Sequence, residues 1–203
     1  MAYSEVVPRL WDETIEAHRR AVRDATLDTT AALVAEHGLA SVTMSQIAEQ
    51  TGIGRATLYK YFPDVESIMV AWHDRQVADH LRQLTEVGTQ PGQPDERLAA
   101  VLRTYARLSA GHSTHELGAL LHRTEHVSHA RQHLLDFVAG LISDAAAAGR
   151  VRDDVPAREL AAFCISAMAA ANDMREPGAL DRLVATALAG LGATAKPLGR
   201  RKR

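Results

Sequence analysis

Aromatic residues are scarce in this chain, with two Trp, four Tyr and three Phe among 203 residues. A core short of large flat rings must close with small and branched aliphatic side chains, and the abundance of alanine favours closely packed helices. Cysteine is scarcer still. Cys164 stands alone, which excludes an internal disulfide and fits a reducing cytoplasm. Its neighbours in AAFCISAM make it a packed thiol rather than a nucleophile. No apolar run is long enough to span a bilayer, and MAYSEVVPRLWDE at the amino terminus has neither a basic start nor an apolar stretch. Neither a membrane span nor a secretory signal is expected. Alternating strand patterns are missing as well. What remains, 46% apolar and 24% charged residues, is ordinary for a soluble globular protein.

Net charge is −2, but KPLGRRKR at 196–203 carries five positive charges and no negative ones, which leaves −7 for residues 1–195. Such a tail is either a disordered, solvated terminus or a source of non-specific affinity for nucleic acid. The overall charge names no partner. A local motif has to.

The helical pattern is nearly continuous. A first helix is expected from about Trp11 to His37, with Leu27, Leu33 and Val34 inward and Gly38 as its stop. Three short segments follow between Thr43 and about Leu84, broken at Gly52 and Pro63, and VGTQPGQPDE at 87–96 reads as a linker. Leu98, Val101, Leu102, Tyr105 and Leu108 form one helical face, and a shorter helix is expected over about 114–125. Ser128 is read as the N-cap of the next helix, whose apolar face is Leu134, Leu135, Phe137, Val138, Leu141 and Ile142, with its end at Gly149. The last two helices share one spacing. Leu160, Phe163, Cys164, Ala167, Met168 and Ala171 are matched by Leu180, Leu183, Val184, Ala187, Leu188 and Leu191. These faces either close the chain's own core or pair with a second copy in a two-fold four-helix interface.

TMSQIAEQTGIGRATLYKYF at 43–62 reads as helix, tight turn, helix. Thr43 and Gln46 fit a capping box, Ile47 and Ala48 face inward, Gly52 supplies a left-handed stop, and Leu58 and Phe62 form the buried side of the second helix. That arrangement is a helix-turn-helix, which presents its second helix to the DNA major groove. The outward residues Arg55, Thr57, Tyr59, Lys60 and Tyr61 suit this, because guanidinium, ammonium and hydroxyl groups donate to base edges and phosphates. No acid falls between Gln50 and Asp64.

At this point the stretch from Leu27 to Ile68 resembles the DNA-binding domain of the tetracycline-repressor (TetR) family of bacterial transcription regulators. The resemblance rests on LVAEHG at 33–38, Thr43, Ile47-Ala48, Gly52-Ile53 and TLYKYFPDVE at 57–66, and AGRVRDDVPARELAAF at 148–163 resembles the family's lead-in to its dimerisation helices. It implies an all-α fold of about nine helices. Residues 1–63 would be the DNA-binding domain, 64–195 a ligand-binding and dimerisation domain, and 196–203 a basic tail. By motif position, Thr43, Ser45, Gln46 and Gly54 would approach DNA, Arg55, Ala56 and Thr57 would read bases, and Tyr59, Lys60 and Tyr61 would bind phosphate. Tyr61 has a second reading as a partly buried core residue. The dimer would form through Leu160, Phe163, Ala167, Ala171, Leu180, Leu183, Val184, Ala187, Leu188 and Leu191. An effector pocket, for an apolar or aromatic small molecule, would draw on Trp72, Tyr105, His122, Phe137, Phe163 and Met168, with His73 as another polar anchor. Family members often carry Ser or Thr at the position of Gly54 and Lys at that of Val65. The chain therefore gives up a hydroxyl and a cation, for which Arg19, Arg20 or the tail could compensate.

One motif competes. HRTEHVSHARQH at 122–133 holds four of the ten histidines, and its first five letters match the H-x-x-E-H pattern of inverted zinc peptidases. A metal-dependent hydrolase would use His122 and His126 as ligands and Glu125 as base. A metal-sensing body would use His122, His126 or His129, with His112, His115 and His133 nearby. The third reading is histidines that are solvated or cap helices. The expectation is a cytoplasmic, homodimeric, ligand-responsive repressor of palindromic operator DNA, without enzyme activity, cofactor or membrane association.

Overall fold

The computed structural model describes residues 6–110, 125–174 and 176–192, with side chains from 15 onward in the first segment and from 129 onward in the second. Among these residues there is no strand. Eight α-helices follow in order: α1 Val6–His37, α2 Met44–Thr51, α3 Arg55–Tyr61, α4 Val65–Gly88, α5 Pro94–Ala110, α6 Glu125–Ala147, α7 Ala157–Ala169 and α8 Ala179–Gly190. The expected helix over 114–125 lies, up to residue 124, outside the described residues, as does the basic tail. The chain divides into two compact units, Met1–Gln76 and Val77–Arg203, and the division falls inside α4.

In the first unit α1 starts five residues before Trp11, because nothing between Val6 and Trp11 breaks a helix once Pro8 falls in the first turn. Gly38 ends it at φ 79°. Leu27, Leu33 and Val34 of α1, Ile47 and Ala48 of α2, Leu58, Phe62, and Ile68 and Met69 of α4 are all buried. Thr26 and Thr30 are buried with them. Each donates its hydroxyl at 2.8 Å to the carbonyl one turn back, Val22 and Thr26 respectively, so no donor is stranded. Arg75 of α4 reaches back to two carboxylates one turn apart on α1, Asp24 at 3.1 Å and Asp28. Burial lowers the guanidinium's pKa, but hydrogen bonds and charge from Asp28 and Asp24 outweigh it, and the net effect is above the ordinary value.

In the second unit α5 packs on α6, α7 and α8. The core they close is aliphatic, as the shortage of rings requires: Leu98, Val101 and Leu102 of α5, Val138 and Ile142 of α6, Ala161 and Met168 of α7, and Val184 of α8. Ser128 does not begin α6. The helix runs through it from Glu125, with neither glycine nor proline nearby to interrupt it, and a serine is tolerated inside a helix that buries this much apolar face. At its other end Gly149 adopts φ 67° and lets Arg150 N–H donate at 2.9 Å to the Ala145 carbonyl. One close approach stands out. A Cβ on Gly88 would lie 2.5 Å from Cζ of Phe137, so the ring of α6 lies directly on the end of α4.

Candidate nucleic-acid interface

The site begins with the ends of α2. The Thr43 hydroxyl accepts from the Gln46 amide N–H at 3.3 Å, and the Gln46 carboxamide oxygen accepts from the Thr43 N–H at 2.8 Å. This is the reciprocal cap the spacing predicts. At the other end Gly52 sits at φ 69°, its N–H donates to the Glu49 carbonyl, and Ile53 N–H reaches the Ala48 carbonyl at 3.1 Å. The chain thus reverses within two residues and Gly54 opens α3 from an extended conformation, its carbonyl accepting from Thr57 and Leu58.

Helix α3 has seven residues and buries only Leu58, with Phe62 as its buried C-cap. Everything else faces outward. Arg55, Ala56, Thr57, Lys60, and Tyr59 and Tyr61 at 49% and 40% are exposed, as are Thr43, Ser45, Gln46 and Gly54. Two large phenol rings held in water on one short helix leave apolar surface uncovered, as an unoccupied interface would. Tyr61 is therefore on the surface and not in the core. Beside this face the Arg23 guanidinium lies over the Phe62 ring, 5.8 Å from its centroid, a contact that no local sequence pattern announces. A shallow groove lined by Leu33, His37, Gln46, Glu49 and Gln50 marks the seam between α1 and α2.

The residues expected to line an effector pocket are dispersed. Met168 is fully buried in the core of the second unit, and Tyr105 and Phe137 pack half-buried against the same core. Phe163 is 49% exposed. Trp72 and His73 are half-buried in the first unit, and His122 lies outside the described residues. A groove in the second unit is lined instead by Asp173, Met174, Glu176, Arg182, Leu183 and Thr186, a polar set with no periodicity to betray it. The expected dimer residues also separate. Leu160, Ala171, Val184, Ala187 and Leu191 are buried in the chain's own core, Ala167, Leu180, Leu183 and Leu188 pack half-buried against it, and Phe163 faces out.

Of the histidine run, the side chains up to residue 128 are outside the description, including those of Glu125 and His126. His129 and His133 are exposed on α6. Among the described residues no three or more His, Cys, Asp or Glu groups converge as metal ligands would.

Two family models match. Residues 27–71 fit the bacterial regulatory proteins of the tetR family, and residues 93–193 fit the C-terminal domain of SbtR-like transcriptional regulators. An uncharacterised HTH-type transcriptional regulator of Mycobacterium tuberculosis is 28% identical over 146 residues, covering 68% of this chain and 74% of the relative. A TetR/AcrR-family regulator from Thermobifida fusca superposes with a TM-score of 0.69 at 20% identity, over 89% of this chain and 98% of that one. The transcriptional regulator FadR from Bacillus subtilis, in complex with stearoyl-CoA, gives 0.64 at 19% identity, over 83% and 96%. At these identities the likeness of the two structures is one of fold.

Proposed function

The chain belongs to the tetR family of bacterial regulatory proteins, and from that premise we propose that it is a ligand-responsive repressor. It binds a palindromic operator as a homodimer and leaves it when a small molecule occupies the body. The family is one of regulators, so hydrolysis at HRTEH forms no part of this reading.

The observation that carries it is the outward face of α3, where Arg55, Thr57, Tyr59, Lys60 and Tyr61 are all exposed around one buried leucine. Arg55, in the first turn, reads base edges in the major groove, and Thr57 follows it. Tyr59, Lys60 and Tyr61 hold the phosphate backbone, while Thr43, Ser45 and Gln46 approach from the supporting helix. Gly54 presents no side chain, so the DNA can come close. Two such helices must be about 34 Å apart to enter successive major grooves, and a second copy supplies the other. The exposed Phe163, surrounded on α7 and α8 by the exposed small residues Ala162, Ser166, Ala189 and Gly190, supports pairing through this face.

The effector shifts the population toward a head spacing that cannot span both half-sites. It is an apolar or aromatic small molecule. Long-chain acyl thioesters are the class to try first, since a protein of this fold has been solved with stearoyl-CoA. A regulator of operator DNA works where that DNA is, so the reading is of a cytoplasmic protein.

Selection of duplexes from a random-sequence pool by the full-length protein tests this. A pseudo-palindromic sequence should emerge, and Arg55→Ala should weaken its binding by about 1–3 kcal/mol without changing oligomeric state. Recovery of no preferred sequence, or full affinity in the Arg55 variant, overturns the assignment.

A further inference from the structure

The match to the family's DNA-binding model begins at Leu27, yet α1 begins at Val6, so residues 6–26 of the same helix precede the matched region. From Ile15 to Ala25 every side chain except Val22 is exposed. A helix that buries so little is not extended for the sake of a core, and its charges show a pattern. Among the described side chains the carboxylates are already engaged: Glu16 takes Arg19 at 2.7 Å, and Asp24 and Asp28 are turned to Arg75. Arg20 and Arg23 are not so engaged. Arg20 donates only to the Glu16 carbonyl at 3.4 Å, and Arg23 rests on the ring of Phe62. No carboxylate of the described residues is within ion-pair reach of either. Three residues apart, the two arginines are neighbours on one helix face.

Phe62 fixes where that face lies. It is the C-cap of α3, directly after Tyr59, Lys60 and Tyr61, so Arg23 flanks the carboxyl end of the helix that presents those groups. The start of α4, on the other side of Phe62, offers Val65 and Glu66 and no cation. We infer that Arg20 and Arg23, on the amino-terminal extension of α1, form a second phosphate-binding element that grips the DNA backbone beside the bases α3 reads. This rests on the DNA-binding reading above. Guanidinium groups suit the task, since their planar donors match phosphate oxygens in pairs. The aromatic contact holds Arg23 in place without neutralising it.

The experiment uses full-length protein and duplexes it has itself recovered from a random-sequence pool, titrated with salt. Each phosphate contact contributes about 0.9 to the slope of log affinity against log salt, so Arg20→Ala should flatten that slope by about one and the Arg20→Ala/Arg23→Ala pair by about two. Near 0.1 M salt each loss corresponds to roughly eightfold weaker binding. The factor should be the same on a duplex whose central bases are scrambled, because phosphates carry no sequence. Arg55→Ala should lose more on the selected duplex than on the scrambled one. Arg23→Lys, which keeps the charge, should keep the slope, and this separates charge from any loosening around Phe62. An unchanged slope in Arg20→Ala, or a loss confined to one sequence, overturns the inference while Arg55→Ala still tests the function. If no duplex is recovered, both fall together.

Discussion

Cys164 is enclosed by the apolar packing of α7, and burial pushes its thiol up to about 11. At pH 8 a group with that pKa is thiolate in only about one molecule in a thousand, and a thiol reacts through its thiolate. The folded protein should therefore leave a disulfide reagent such as dithionitrobenzoate unreacted over minutes at pH 8, and release one equivalent of thiolate on addition of denaturant. Rapid stoichiometric reaction of the native protein would contradict its packing. The residue types around it, Ala, Phe and Ile, already pointed to this outcome, since burial of one small side chain in an apolar helix face is a local property. The contact of Arg23 with Phe62 was not legible in the same way. It joins residues 39 positions apart, and neither residue carries a local signal for the other.

At the scale of the element, the two glycines that matter fail for different reasons when given a methyl group. Gly52 has open space around its Cβ direction but a left-handed backbone at φ 69°. Gly52→Ala should cost about 1–2 kcal/mol through conformation alone. Gly88 is helical and would meet Phe137 Cζ at 2.5 Å. Gly88→Ala should cost about 1–3 kcal/mol through overpacking, less if the ring can turn aside. Measured relative to Phe137→Leu alone, the double variants should recover part of the Gly88 loss and none of the Gly52 loss, as read by chemical denaturation of the three single and two double variants. Equal rescue of both would show that the ring is not the obstacle. The helix-turn-helix was legible because its punctuation is local: a capping box, a left-handed glycine and buried positions at helical spacing within twenty residues. Ser128 misled for a related reason. A cap signal states only that a helix can begin there, and the apolar face from Leu134 onward stabilises a helix whichever residue opens it.

For the whole molecule, the sequence pattern identified apolar faces on α7 and α8 without saying what covers them. Most of that stripe closes the chain's own core or packs against it, and Phe163 remains exposed. The same 3.6-residue period serves a core and an interface equally, so only burial separates them. Phe163→Glu should therefore convert a dimer to a monomer by light scattering, because a charge placed in an apolar contact has no partner there, while the melting of the monomer changes little. A dimer that survives this substitution would move the interface to another surface. The lining of an effector pocket was the least legible expectation, since a cavity is defined by side chains from several helices and leaves no period in any one of them.

The clasp of Arg75 on Asp24 and Asp28 has a consequence for how this chain can vary. Two carboxylates share one guanidinium, so either aspartate can be replaced and its twin still holds α4 to α1. The arginine has no understudy, and its removal leaves two like charges facing each other one helical turn apart. Replacing either aspartate alone should therefore cost less than replacing the arginine, and the arginine should matter least in a chain that has lost both.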